Sequence, residues 1–301
     1  MARARATSTT GAALRSPIVD RDGEGLAETG IDPPAGAQVL AGSNANTGLV
    51  LRVGDTVRRP WHPSTPATHA LLTHLDQVLP GVAPVPVGPT GRDEHGREIL
   101  TWIDGDVGLP PFPRWVSSTL FLTSLGRLLR RIHDALDGWT PPTDAAWSQE
   151  IPDPHGGPII AHTDIWPANV ITRHGRATAI IDWELAAPGR RIWDVVSTAK
   201  LCVPFTAPSR RDPVYDGQDV TDRLRVFLDA YQLDDSDRAV FTQVLEERRL
   251  ATERFVRGRI RRGEAHFVEK WDNATGEELL LAETNWITTL PADVARSEQT
   301  R

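Results

Sequence analysis

Asp164, Asn169 and Asp182 fall within one stretch, Pro158 to Trp183, which reads PIIAHTDIWPANVITRHGRATAIIDW. Carboxylate and amide oxygens are hard donors. Mg²⁺ takes one or two carboxylates and keeps its other positions for water and phosphate oxygens. Val170 to Thr172 and Ala177 to Ile181 are strand-like, and the polar segment holding Gly175 between them predicts a hairpin. With the turn centred between His174 and Gly175, Asn169 faces Ile180 and Asp182 faces Pro167. The two site residues are then diagonal neighbours, roughly 7 to 8 Å apart between backbones. Asp164 stands on the loop leading in. Phosphoryl transfer needs these parts: a cation to neutralise the β and γ phosphates, and a carboxylate to orient and deprotonate an acceptor hydroxyl. Each residue also has a structural use, since Asp164 could cap a turn, Asn169 could satisfy loop backbone groups and Asp182 could end a strand.

The elements around this stretch differ on its two sides. Residues 1–36 carry no sustained period and end near Pro33-Pro34, which reads as a mobile tail. Gln38 to Ala41, Leu49 to Val53 and Thr56 to Arg59 are short strand-like runs divided by glycines, an antiparallel meander. Ala67 to Leu79 has a helical period that Pro80-Gly81 ends. Val82 to Val87 and Glu98 to Ile103 predict two more strands. Beyond Gly105 apolar stripes mark helices over Leu120 to Leu136, Leu224 to Tyr231, Val240 to Ile260 and Leu279 to Ile287. The expected organisation is an α+β, two-lobed fold: a small antiparallel-sheet lobe over 37–103, a larger helical lobe over 104–290, and a tail over 291–301.

Composition excludes several classes of function. The 301 residues are 40% hydrophobic and 24% charged with a formal net charge of -7, so neither nucleic acid nor an anionic membrane is an expected partner. The one cysteine, Cys202, can form no intramolecular disulfide and lies in an apolar run, which reads as a buried inert thiol. The start has no apolar core of secretory length and no later segment approaches a membrane span, so a cytoplasmic setting is expected. Of 33 Lys plus Arg only Lys200 and Lys270 are lysine, which leaves cationic work elsewhere to arginine. His155, His162, Asp164 and His174 fit no compact zinc spacing.

His162-Thr163-Asp164, four intervening residues and then Asn169 match the pattern H-x-D-x-x-x-x-N. With Ile181-Asp182-Trp183, Gly189 and Asp194, the run resembles the Brenner-type motif of the aminoglycoside phosphotransferase family, which has a protein-kinase-like fold. The resemblance covers about residues 38 to 290 and is specific only in 158 to 195. It implies that Asp164 is the catalytic base, that Asn169 and Asp182 are magnesium ligands, that Asp194 anchors the catalytic loop and that His162 packs. Asp194 also has the simpler reading of a cap on a helix beginning near Val195.

The resemblance further implies a nucleotide, ATP or GTP, under the amino-terminal sheet. Gly42 to Gly48, with Ser43 and Asn44, would cover its phosphates, although the spacing is not that of G-x-G-x-x-G. The phosphate-holding cation falls to Arg59 or Arg58, of which side-chain alternation lets one face the cleft, Arg59 being favoured. Its usual glutamate partner would stand near Thr68 or His69 on the next helix, and neither is acidic. Adenine would bond to backbone near Thr101 to Ile103, at Trp102 and Ile103. The acceptor implied is a small hydroxylated molecule, antibiotic-like or a metabolite; seven arginines against three glutamates over Glu246 to Arg262 argue weakly against a cationic one, unless the run is a solvated face. A catalytically silent binding or immunity protein on the same fold is the competing reading.

Overall fold

The computed structural model describes residues 36–40, 50–273, 276–291 and 293–296. The expected tail up to residue 35, the segment 41–49 with Ser43 and Asn44, and residues 297–301 lie outside the described residues.

Four short strands, β1 (Gln38–Val39), β2 (Leu51–Val53), β3 (Thr56–Arg59) and β4 (Glu98–Thr101), form one antiparallel sheet in that order. Helix α1 (Thr65–Val78) lies between β3 and β4 in the chain, with a proline in its first turn, where the missing N–H costs no intrahelical bond. Its buried face, Ala67, Thr68, Leu71, Leu72 and Leu75, has the expected 3.6-residue spacing. Val82 to Val87 does not form the expected strand. Pro84 and Pro86 have no N–H to give a ladder, so the segment reaches β4 only through a bridge at Pro86 and the bonds of Val85 and Val87.

The larger part is helical: α2 (Thr119–Ala135), α3 (Arg191–Cys202), α4 (Val220–Tyr231), α5 (Asp235–Arg261), α6 (Ala265–Asn273) and α7 (Gly276–Thr288). Helices α2, α4 and α5 begin on side-chain caps from Ser118, Asp219 and Asp234. Gly126 lets α2 approach α4, because a Cβ there would stand 2.8 Å from the Phe227 carbonyl oxygen. Two small antiparallel pairs sit among these helices, β5 (Ile159–Ala161) with β8 (Ala187–Gly189) and β6 (Val170–Arg173) with β7 (Arg176–Ile180). One core joins Leu71, Leu72 and Leu75 of α1 to Phe121, Leu125, Leu129 and Ile132 of α2 and to Val195 and Phe227. The result is a two-lobed α+β arrangement, with the β5–β8 region between the sheet and the helices.

The apolar stripe expected over Leu279 to Ile287 is a helix, but polar contacts tie it down. Glu283, fully buried on α7, takes hydrogen bonds from Lys200 at 2.8 Å, the Thr206 hydroxyl at 2.8 Å and the Ala207 N–H at 3.0 Å. Lys200 therefore serves the helical lobe and not the cleft.

Cys202 is fully buried, and burial raises its thiol pKa far above the ordinary value. The folded protein is expected to resist a thiol-specific alkylating reagent at pH 8 and to react stoichiometrically once unfolded in urea. Rapid labelling of the native chain, followed by mass spectrometry, would contradict this packing.

Candidate active site

The β6–β7 hairpin positions the polar cluster. His174 and Gly175 both have positive φ, 52° and 72°, the backbone of a two-residue turn between twisted strands. The turn is where the sequence predicts it, but the register beyond it is not. Ile171 pairs with Ala179 and Thr172 with Ala177, so Thr178 is an extra residue on β7. This bulge slips the pairing by one. Val170, not Asn169, faces Ile180, and the Ile181 N–H donates to the Asn169 carbonyl at 2.9 Å. Asp182 is therefore the next residue along from the one bonded to Asn169.

The loop carrying Asp164 is held from beneath. The Asp194 carboxylate, on the first turn of α3, accepts the backbone N–H groups of His162 and Thr163, each at 2.8 Å. His133 Nε2 lies 3.2 Å from the same carboxylate, and His133 Nδ1 is 2.7 Å from the Tyr231 hydroxyl. Helix α3 starts at Arg191, so Asp194 lies inside it and is not its N-cap. Thr163 has φ of 68°, an unfavourable value for a β-branched residue. Three bonds fix it there: its N–H to Asp194, its hydroxyl to the Leu185 carbonyl at 3.0 Å and its carbonyl to Arg248 at 2.9 Å. His162 packs on Trp183 at 4.6 Å and its Nε2 donates to the Ile181 carbonyl at 2.9 Å. Its Nδ1 accepts the Asp164 N–H at 3.3 Å, so the ring is the neutral Nε2–H tautomer, and burial lowers its pKa.

Above this support the functional groups converge. Asn169 Nδ2 donates to the Asp164 carbonyl at 2.9 Å and lies 3.4 Å from the Asp164 carboxylate, which leaves its Oδ1 as an outward acceptor. Asp182 has φ of 66° and pairs through Oδ1 with the Arg59 guanidinium at 2.7 Å. Arg59 also bonds through Nε to Glu98, whose other oxygen is 2.9 Å from His69 Nε2. Arg58 points away, to the Thr56 hydroxyl at 2.5 Å and toward Asp93. The amino-terminal lobe thus has its buried cation–carboxylate pair, with the carboxylate on β4 and not on α1.

Electrostatics separate the acids. Desolvation, and then the negative charge of Asp182, push the Asp164 pKa up to about 7, while Arg248 opposes the shift. Burial works against the Asp194 charge too, but bonds from His133 and His162 outweigh it and lower its pKa. Arg248 is almost wholly buried with no direct carboxylate bond, and desolvation pulls its pKa down to about 10. Among the described residues no three His, Cys, Asp or Glu side chains converge as a metal cage. What remains is the Asn169 amide oxygen and one oxygen of Asp182. Such a donor set suits Mg²⁺ completed by water and phosphate and does not suit zinc.

Reading the sequence alone missed Glu98, His69, His133 and Arg248. The charge-rich run over 246–262 is of mixed character, with Arg254, Arg261 and Arg262 exposed. Arg248 and Arg249 are buried, while Arg257, Arg259 and Arg262 pair with glutamates of their own neighbourhood. Trp102 makes contacts of its own. Its N–H is taken by the Asp55 carbonyl at 2.8 Å and its indole by Asp104 and the Arg52 guanidinium.

Solved structures share this fold at low sequence identity. An amicoumacin kinase in complex with AMP-PNP, Ca²⁺ and Ami superposes with a TM-score of 0.60 over 90% of this chain and 95% of that one at 12% identity. A choline/ethanolamine kinase family protein from Mesorhizobium loti gives 0.57 over 87% and 92% at 15% identity. The kinase-like fold is thereby shown. Residues 139–227, which hold the whole loop and hairpin, match the family model APH, described as phosphotransferase enzyme family. A trifolitoxin immunity protein from Rhizobium leguminosarum bv. trifolii is 33% identical over 211 residues, 68% of this chain and 78% of the relative. The chain belongs to this phosphotransferase family.

The loop support can be tested by stability. Asp194→Ala leaves two buried backbone N–H groups and His133 without an acceptor, and is expected to lower the unfolding free energy by roughly 3 to 5 kcal/mol. Urea denaturation measures it; a loss below about 1 kcal/mol, the range of an exposed pair, would contradict the anchoring.

Proposed function

We propose that the protein transfers the γ-phosphate of ATP or GTP to a hydroxyl of a small molecule. The observation that carries this reading is the geometry of Asp164, beside Asn169 and on a loop that Asp194 fixes from behind, with burial and Asp182 raising its pKa. A general base works best when its pKa lies near the working pH. Residues 37–103 cover the nucleotide, and 104–290 carry the base and the acceptor. Arg59 brings positive charge to the phosphates, and the Ile103 backbone, beside the occupied Trp102 N–H, offers the adenine contact. Asn169 Oδ1 and the oxygen of Asp182 not bonded to Arg59 would hold Mg²⁺, which when bound supplies charge neutralisation at the phosphate oxygens. Asp164 orients the acceptor hydroxyl and takes its proton onto a carboxylate oxygen as the new O–P bond forms and the bond from the γ-phosphorus to the β–γ bridging oxygen breaks, releasing ADP or GDP. Asp194 and Arg248 keep the loop from moving as that charge shifts. A cytoplasmic setting goes with nucleotide use; among the described residues no helix is long and apolar enough to cross a membrane.

The acceptor is a hydroxylated compound, antibiotic-like or metabolic. Pairing of Arg249, Arg257, Arg259 and Arg262 with glutamates weakens the charge argument against a cationic one. A second reading is favoured by the name of the 33% identical relative, an immunity protein: protection of the cell by binding, without turnover. The same fold could also protect by phosphorylating what it meets.

Calorimetric titration of ATP and of GTP, with and without Mg²⁺, is expected to show magnesium-dependent binding that Asp182→Asn weakens. Turnover with an accepted hydroxyl compound should fall roughly 10²- to 10⁴-fold in Asp164→Asn. Because the active form of Asp164 is deprotonated, the rate should rise with pH to a plateau, with its midpoint at or below about 7, since a cation at Asp182 removes part of the like-charge effect. Nucleotide binding with no turnover, and no effect of Asp164→Asn, would make the silent binding protein the better account.

A further inference from the structure

The cation of the amino-terminal lobe is held differently from the arrangement the sequence resemblance implies. Position 69 on α1, where a glutamate would stand, is His69, and the carboxylate comes from Glu98 on β4. Arg59 and Glu98 are cross-strand partners in the β3–β4 register, so their side chains leave the sheet on one face, and Glu98 is 1% exposed. Burial opposes the Glu98 charge, but Arg59 and His69 outweigh it and hold its pKa below the ordinary value. As an ionised acceptor it fixes the proton of His69 on Nε2.

His69 is itself clamped. Trp61 meets it edge-on at 5.5 Å, and the Arg92 guanidinium covers Trp61 at 4.0 Å. Gly91, at φ of 61°, closes the other side: a Cβ there would stand 2.3 Å from His69 Cε1. Arg59 spends two of its five N–H donors on Glu98 and Asp182. Burial works against its charge, but Glu98 and then Asp182 hold its pKa above the ordinary arginine value.

We propose that Glu98 and His69 are positioning residues for Arg59, holding its guanidinium from the sheet so that it serves the nucleotide phosphates without help from an acidic residue on α1. The proposal rests on the reading of the cleft as a nucleotide site. Its consequence is conformational. Where the carboxylate rides on the helix, helix movement makes or breaks the pair and so controls activity. Here the pair lies on adjacent strands, and a shift of α1 withdraws only the imidazole.

The test is calorimetric titration of ATP and GTP with Mg²⁺ into wild type, Arg59→Met, Glu98→Gln and the double variant, with thermal unfolding of each. Glu98→Gln is expected to weaken nucleotide binding about tenfold to a hundredfold, the range for a hydrogen bond to a charged group. If Glu98 acts through Arg59, the double variant binds no worse than Arg59→Met alone. His69→Leu should weaken binding by less than Glu98→Gln, and His69→Gln, which keeps a donor toward Glu98, should restore it; these variants carry the test if Glu98→Gln does not fold. Unchanged affinity in a folded Glu98→Gln, losses that multiply in the double variant, or equal binding by His69→Leu and wild type would each overturn the proposal while leaving the nucleotide reading intact. A wild type that binds neither nucleotide overturns both.

Discussion

A single buried carboxylate sets the geometry of the cleft. Asp194 is 1% exposed, and its two oxygens take the N–H groups of consecutive residues, His162 and Thr163. That demand turns the chain at Thr163 into a left-handed conformation that a threonine adopts only under compulsion. The turn then sends the Asp164 side chain toward Asn169 and the field of Asp182. The carboxylate is itself affordable only because His133 and the two N–H groups replace its lost hydration. The arrangement is directional: α3 carries the anchor, the anchor bends the loop, and the bent loop presents Asp164.

Arginine shapes the rest. A guanidinium can bond to several acceptors in one plane and keeps its charge when buried, which an ammonium does less readily. Arg248 uses this to span the Ser197 hydroxyl, the Thr252 hydroxyl and the Thr163 carbonyl from α5. Arg190 does the same between β8 and α3, bonding to Asp153 at 2.7 Å and Glu247 at 2.9 Å. Arg59 joins the two lobes by pairing with Asp182. Lys200, by contrast, ties α3 to the buried Glu283 of α7.

Much of this was legible in the sequence, and what escaped did so for physical reasons. Apolar stripes located α1, α2, α4, α5 and α7, because burial of one face fixes a 3.6-residue period. The hairpin followed from its turn residues, yet the bulge at Thr178 slipped Asn169 by one position, since an extra residue leaves no mark in an alternation that short. Strands β5 and β8 are three residues each, and Pro188 and Gly189 read against a strand. Glu98 was invisible as a partner because its role depends on a register between strands separated by a helix and a long loop. Arg248 was hidden in a charged run whose members differ only in which side of α5 they occupy.

That last case limits what charge counting says about an acceptor. Seven arginines on one helix suggest a positive surface only if their partners lie elsewhere in the fold. Here Glu246, Glu253, Glu264, Glu277 and Glu150 sit at bonding distance against Arg249, Arg257, Arg259 and Arg262, so part of the charge is paired within the fold, while Arg254 and Arg261 stand exposed. The groups around Asp164 carry charge of both signs. Of these, Asp182 and Glu184 raise the Asp164 pKa and Arg248 lowers it. Arg59 is already engaged by two carboxylates. Counting arginines along α5 therefore does not fix the sign of charge that an acceptor would carry.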